Sequence, residues 1–227
     1  MTGALRLLAD TLAQKTPPRA LLYGLLNKLN YLMKTGNRRY EFERLYLEAE
    51  DPWNYRTSPY EDAKYRHVLE RALAWRRGRG RALEIGCSIG VFSRMLAGEF
   101  NEVTGVDLSM EAIVIARAQN LQAPNLTFQR ADVSALNLHG AFDVIFCAEV
   151  LYYLPRRTGA AVCAALDRRL APDGVIVLVS GQPNGSEGDL HFDDWKQLLQ
   201  AQFKPLFSEA VADPLRPYEV TIFGRFD

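Results

Sequence analysis

The stretch from Leu83 to Ser93, LEIGCSIGVFS, limits most strongly what this chain can fold into. The apolar residues around Glu84 are typical of a buried strand, and the residues from Val91 to Ala97 are compatible with a helix. Between them, Gly86 permits a sharp turn, and Gly90 permits a close approach of the backbone to a bound molecule. The sequence therefore predicts a strand, a tight turn and a helix whose first residues face a ligand.

A second strand, Val103 to Val106, ends directly on Asp107. An acidic residue at this point binds a ribose in doubly wound α/β folds, whereas the glycines alone would also fit an ordinary strand-to-helix turn. Nicotinamide enzymes carry G-x-G-x-x-G, because a pyrophosphate lies on the start of the helix. No such motif can be aligned with Gly86 and Gly90, so the sequence argues against a nicotinamide reductase.

The pattern E-x-G-x-x-x-G, from Glu84 to Gly90, resembles the first motif of class I S-adenosylmethionine (SAM) methyltransferases. The resemblance implies that the loop containing Cys87 wraps the methionine part of SAM. A negative Glu84 would then lie near the sulfonium and the amino group, which is electrostatically favourable. Asp107 and Leu108 are assigned to the same cofactor. Ser88 departs from the family pattern, which usually has glycine there.

Two later segments extend this resemblance. A third predicted strand, Leu126 to Arg130, is followed by Asp132 and Val133, which the resemblance places at the adenine; a turn or a helix cap is the alternative for Asp132. The run that begins FDVI and ends EVLYYL resembles the fourth motif, and Glu149 is assigned either to the cofactor or to the helix that follows it. The run lacks the D/N-P-P-Y/F tetrad of enzymes that methylate nucleic-acid bases, so we expect a small-molecule acceptor.

The rest of the core alternates between strands and helices, which is typical of an α/β fold. A Ser58–Glu61 capping box predicts the start of one helix. The predicted elements are helices Pro59–Trp75, Ser109–Gln119 and Pro155–Leu170, a turn at Pro172–Gly174, a strand at Val175–Val179, a polar loop at Ser180–Asp189, a helix around Phe192–Leu199, and strands Leu206–Ala212 and Tyr218–Phe226. The resemblance implies a Rossmann-like, doubly wound, seven-stranded sheet that is mostly parallel and has an antiparallel C-terminal strand.

We predict a helical arm or cap at residues 1–57 and a methyltransferase domain at residues 58–227. Leucine spacing predicts helices near residues 5–12 and 21–36. The arm is basic, with the positive residues Arg6, Lys15, Arg19, Lys28, Lys34, Arg38 and Arg39. Such a face fits plain solvation, a cap over the substrate, or a surface for anionic lipid, another partner or a second copy in a homodimer.

The segment DPWNYRTSPYEDAKY, residues 51–65, resembles the nodulation N-methyltransferase (NodS) group. That group methylates an amino-sugar amine on a chitooligosaccharide, so the resemblance implies an amine acceptor, while related enzymes also act on hydroxyls. Trp53 and Tyr55 are either core anchors or rings that close over SAM, where aromatic faces can contact a cation.

A neutral amine attacks a methyl group without a base, whereas a hydroxyl needs one. The candidate catalytic residues are His191, Tyr152 and Tyr153, and further candidate bases are Glu149, Asp193 and Asp194. A structural role for His191 and a role of the two tyrosines in shaping the pocket are the alternatives.

Composition excludes several classes of function. Lys plus Arg equals Asp plus Glu at 27 each, which argues against a general nucleic-acid binder. The three cysteines form no CxxC pair, and no apolar run is long enough to span a bilayer, so we expect a cytoplasmic protein without disulfide, metal or transmembrane segment. The expected function is SAM-dependent methylation of a small molecule or natural product; the alternative is a non-catalytic SAM-binding regulator or subunit.

Overall fold

A computed structural model describes residues 38–76, 78–181, 192–213 and 216–226 of the chain. The chain divides into two units, Met1–Pro52 and Trp53–Asp227. The described part of the first unit contains helix α1, Arg38–Glu48. The helices predicted before it lie outside the described residues, and the domain boundary after residue 57 stays a prediction.

The described part of the second unit is built on a seven-stranded sheet in the order β3-β2-β1-β4-β5-β7-β6. The strands are β1 Arg81–Ile85, β2 Glu102–Asp107, β3 Leu126–Arg130, β4 Phe142–Ala148, β5 Leu170–Gly181, β6 Lys204–Val211 and β7 Tyr218–Gly224. The first five strands pair in parallel, and β7 pairs antiparallel with both β5 and β6. The predicted fold class is therefore confirmed for this sheet. Strand order reverses between β1 and β4, where such folds open a crevice at the carboxyl ends of the strands.

Helices cover both faces of this sheet because its central strands are apolar on both sides. The helices are α2 Pro59–Leu73, α3 Val91–Glu99, α4 Met110–Gln119, α5 Gly159–Arg169 and α6 Phe192–Gln200. Alternate residues of β4 enter opposite layers: Val144 and Phe146 pack in one apolar cluster, and Ile145 and Cys147 pack in the other. The predicted cap of α2 is present, since the Ser58 hydroxyl accepts a hydrogen bond from the Glu61 amide at 3.3 Å.

Two predicted elements near α5 differ from the structure. The helix predicted from Pro155 begins at Gly159, after a 3₁₀ turn at Arg156–Thr158. The turn predicted at Pro172–Gly174 is wrong, because β5 already begins at Leu170. Residues 171–174 form an irregular bulge opposite Asp143, where the pairing of β5 with β4 shifts in register. A Cβ at Gly174 would lie 2.9 Å from the Phe142 carbonyl oxygen, so this glycine lets the two backbones approach.

Candidate functional site

The turn after β1 is tied to the end of β2. The amides of Gly86 and Cys87 both donate to the Val106 carbonyl, at 2.8 and 2.9 Å. Gly86 has φ 74°, and a Cβ there would lie 2.5 Å from Cγ2 of Val150. At Gly90, φ is 79° and a Cβ would meet the Phe128 ring at 2.6 Å, so the structure shows a close approach to the protein interior at that position.

Asp107 joins the loops that follow β1 and β2. Its Oδ2 accepts the Ser88 amide and its Oδ1 accepts the Ser109 amide, both at 2.9 Å. Ser88 has φ 49°, a left-handed conformation that costs a non-glycine residue about 1–2 kcal/mol. This explains why a glycine is usual at the position of Ser88 in the motif. Leu108, which lies between Asp107 and Ser109 in the sequence, is half-buried.

Glu84 is buried at the end of β1, with only 4% of its surface exposed. The Ser93 hydroxyl donates a hydrogen bond to its Oε2. Burial raises the pKa of Glu84 to about 8; the bond from Ser93 opposes this shift, and the charge of Asp107 adds to it. The negative charge assumed from the sequence is therefore largely absent at neutral pH unless a nearby cation offsets the burial.

A cavity of about 30 Å³ lies at the carboxyl ends of β1 and β4. It is lined by the turn after β1, by Ala148 and Glu149 at the end of β4, and by rings that include Tyr55 and Tyr65. This volume holds about one or two water molecules. A larger ligand therefore requires movement of the side chains that border the cavity.

A series of aromatic rings runs from the cavity into the core. Trp53 stacks on Tyr55 at a centroid distance of 5.9 Å, and Tyr55 lies 6.2 Å from Tyr65. Tyr65 stacks on Phe92 at 4.7 Å, and Phe92 meets Phe146 edge-on at 5.3 Å. Tyr55, Tyr65 and Phe92 border the cavity, and the stacking of Trp53 on Tyr55 anchors the segment before α2. Contact of Trp53 with a cofactor stays a prediction.

Glu149 lies just after β4 with φ 55°. Its Oε1 accepts hydrogen bonds from Lys64 Nζ at 3.0 Å and from the Gly181 amide at 2.8 Å. Lys64 Nζ also lies 2.9 Å from Oε2 of Glu61, outside hydrogen-bond geometry, so that contact is a charge pair. The Glu149 side chain therefore binds α2 and the end of β5, rather than the 3₁₀ helix Leu151–Tyr153 that follows.

The candidate catalytic residues are only partly brought together. Tyr152 and Tyr153 lie with ring centroids 4.5 Å apart. Burial, followed by the charge of Glu149, raises the pKa of Tyr152 far above its usual range, which favours a role in shaping the pocket over proton abstraction. Asp194, on α6, lies 3.5 Å from the guanidinium of Arg156. His191 lies outside the described residues.

Asp132 is exposed and caps a short 3₁₀ helix, Val133–Ala135. Its Oδ1 accepts the amide of Ser134 at 2.8 Å and the hydroxyl of Ser134 at 2.7 Å. Val133 packs its side chain into the apolar core. The helix-cap alternative therefore describes the observed contacts of Asp132, and the adenine role of both residues stays a prediction.

The three cysteines are buried free thiols, and burial raises the pKa of the Cys87 thiol beside the cavity. Within the described ranges, no group of three or more His, Cys, Asp or Glu side chains could hold a metal ion. Among the helices that the structure describes, none has the length and apolarity needed to cross a membrane.

Lys64 and Tyr65 were not among the site residues predicted from the sequence. Both lie on the buried face of α2 together with Glu61 and Val68. The spacing of these positions by three and four residues was the available signal, because it places two charged side chains on the apolar face of a helix.

Comparison with known proteins finds relatives of this chain. The family model described as nodulation protein S (NodS) matches residues 36–187. Nodulation protein S of Sinorhizobium fredii is 33% identical over 159 residues, which cover 69% of each chain. Nodulation protein S of Rhizobium tropici is 31% identical over 157 residues, covering 69% of this chain and 63% of the relative. The chain spans 51–65% of the length of three of its curated relatives.

Among solved structures, the N-methyltransferase NodS from Bradyrhizobium japonicum WM9, in complex with S-adenosylhomocysteine (SAH), has a similar fold. The TM-score is 0.74 at 21% identity, and the alignment covers 83% of this chain and 99% of that chain. At this identity the likeness concerns the fold.

Proposed function

The chain belongs to the nodulation protein S (NodS) family, and on that premise we propose that it is a SAM-dependent methyltransferase acting on an amine. The observation that carries the proposal is the position of Asp107 and the two backbone hydrogen bonds that its carboxylate accepts. This carboxylate orders the turn after β1 and stands at the end of β2, where a ribose binds in folds of this topology.

The residues at the strand ends fit SAM by their chemistry. The cofactor carries a positive sulfur and an ammonium group, and Glu84 lies buried beside the cavity with a carboxyl that would ionise next to a cation. Tyr55 and Tyr65 place aromatic rings around the same space, and ring faces attract cations. Asp107 would take the ribose hydroxyls, and Cys87 would border the methionine part. The small cavity requires the aromatic rings to shift as the cofactor enters.

SAM held at the turn after β1 and at Asp107 would supply a methyl group on a good leaving group, so that the amine lone pair would form the C–N bond as the S–C electron pair returned to sulfur, leaving SAH. The task of the protein is then to hold the acceptor in line and to exclude water. Orientation of this kind contributes about 7–11 kcal/mol to catalysis. The acceptor must arrive as a neutral amine, because its lone pair forms the new bond. The methylated nitrogen then carries a positive charge and releases one proton.

The acceptor that we propose is the amine of an amino sugar or of a similar small natural product. One similar protein of known structure, NodS from Bradyrhizobium japonicum WM9, is an N-methyltransferase, which supports nitrogen over oxygen as the acceptor atom. Tyr152 and Tyr153, next to the end of β4, would form a wall of the acceptor pocket. His191 would be needed only for a hydroxyl or an ammonium acceptor. A nucleic-acid acceptor is disfavoured by the balanced charge of the chain.

Transfer of labelled methyl from SAM to a library of amines and hydroxyls tests the proposal. We expect incorporation with a glucosamine oligomer and none with its fully N-acetylated counterpart, because acetylation delocalises the nitrogen lone pair into the carbonyl group and makes the nitrogen non-nucleophilic. SAM binding without transfer to any acceptor would instead favour a non-catalytic SAM-binding protein. Thermal shift with SAM, SAH and NAD checks the cofactor separately.

A further inference from the structure

Glu149 is held in a strained and highly restrained position. Its φ of 55° is one that non-glycine residues rarely adopt, and such strain persists only where the surroundings fix the residue. Its backbone amide donates to the Val179 carbonyl at 2.9 Å, and its Oε1 accepts the Gly181 amide. Backbone and side chain are therefore both attached to the end of β5.

Lys64 adds a third restraint from another element. This lysine of α2 is 4% exposed, and its ammonium lies between the carboxylates of Glu149 and Glu61, at 3.0 and 2.9 Å. Glu61 is also 4% exposed, and its Oε1 lies 3.5 Å from the guanidinium of Arg216. Burying such a group of charges costs desolvation energy, so a buried ion pair is weak evidence for a role in stability. A role in fixing the orientation of Glu149 explains it better.

Glu149 borders the same cavity as Glu84 and the turn after β1, but it does so from the other side of the point where strand order reverses. The turn after β1 and Asp107 at the end of β2 lie on one side of the point where strand order reverses. On the other side, Glu149 follows directly after β4 and Gly181 ends β5, and Tyr152 and Tyr153 come three and four residues after Glu149. A cofactor held by the turn after β1 and by Asp107 would leave the β4–β5 side of the cavity to the second substrate.

We propose that Glu149 binds the acceptor amine through Oε2 and that Lys64 is the positioning residue that fixes this carboxylate. The inference rests on the proposed amine methylation. Both restraining hydrogen bonds go to Oε1, so Oε2 is the oxygen that we assign to the acceptor N–H. Positive charge develops on that nitrogen as the C–N bond forms, and a fixed carboxylate at hydrogen-bond distance stabilises it. The proton later leaves the nitrogen for solvent.

The test compares Glu149→Gln, Lys64→Met and Lys64→Arg with the parent, using a glucosamine dimer as the probe. Labelled-methyl transfer gives kcat and KM, and calorimetry gives the affinity for SAM and the affinity of the SAH-loaded protein for the dimer. We expect Glu149→Gln to lower kcat/KM about 100-fold and Lys64→Met about 10-fold, with SAM affinity changed less than about threefold. Lys64→Arg should recover most of the loss, because it keeps the charge.

Lys196→Met is the matched control. It removes a half-buried Lys–Glu pair, with Glu219, on α6 and β7, and should leave kcat/KM unchanged. Loss of SAM affinity in Glu149→Gln equal to the loss in kcat/KM would assign this carboxylate to the cofactor and overturn the inference. Unchanged kcat/KM in Lys64→Met would overturn the positioning role. Should that variant not fold, Lys64→Gln replaces it under the same criterion, because it also removes the charge that holds Glu149.

A parent protein that does not methylate the dimer would count against the proposed function for this amine, and the inference is then judged on binding alone. Binding of the dimer to the SAH-loaded parent, with loss of that binding in Glu149→Gln, supports the inference. Absence of binding to the parent, or equal binding by both proteins, overturns it.

Discussion

The affinity for SAM should rise with pH through the ionisation of Glu84. With a pKa of about 8, this carboxyl is about 10% ionised at pH 7 and about 1% ionised at pH 6. A ligand whose positive charges select the ionised form releases the proton as it binds. The apparent dissociation constant should then be about 50-fold larger at pH 6 than at pH 8.

Calorimetric titration between pH 6 and pH 8, in two buffers of different ionisation enthalpy, measures both the affinity and the proton released. The amino group of SAM itself titrates near pH 8, so the comparison with Glu84→Gln isolates the contribution of the protein. The variant should bind SAM more weakly at pH 8 and show little further change at pH 6. An equal pH dependence in parent and variant would refute the reasoning.

The same pKa shift has a consequence for folding. The pKa of Glu84 in the folded protein lies above its unfolded value of about 4.5, so its contribution to stability is fully present below that value. That contribution is lost as the pH rises towards 8. Urea unfolding without added SAM should therefore show a loss of stability over this range that is reduced in Glu84→Gln. The same slope in both proteins would contradict the shift.

Three substitutions test the turn itself. Asp107→Ala removes the acceptor of two backbone amides, and we expect SAM binding at least about tenfold weaker by calorimetry; equal affinity would contradict the ribose role. Ser88→Gly relieves a positive φ and should raise the free energy of unfolding by up to about 1 kcal/mol in urea titrations, whereas Ser88→Val should lower it. Gly86→Ala places a Cβ 2.5 Å from Val150 and should cost about 1–3 kcal/mol, with partial recovery in Gly86→Ala/Val150→Ala; no loss would show that the turn adapts.

The sequence predicts the sheet well because its strands are marked by local signals. Continuous apolar runs predict the central strands. Ser58 and Ser109 predict the starts of two helices, and in the structure their hydroxyls cap those helices. Asp107 was predicted at the end of its strand, since motif spacing and strand end coincide. The turn predicted at Pro172–Gly174 is wrong because these residues form a bulge inside β5, which pairs with β4 on both sides of the bulge.

Other features of the site depend on contacts between residues far apart in the sequence. The hydrogen bond from Lys64 to Glu149 joins positions 85 residues apart, and no local sequence pattern predicts it. The pKa of Glu84 follows from burial beneath later elements, so its charge state could not be derived from the motif. Asp132 shows the opposite case, because its cap contact was a local alternative that the sequence already offered.

The aromatic series from Trp53 to Phe146 passes along the cavity at Tyr55, Tyr65 and Phe92 and continues to the middle of the sheet. A ring that moves to admit a ligand loses its contact with the next ring. Entry of a ligand therefore costs packing energy in the core. Phe146 lies on the central strand β4, and a smaller side chain there would lower the barrier for ring movement. We therefore expect the rate of cofactor exchange to depend partly on Phe146, which lies outside the lining of the cavity.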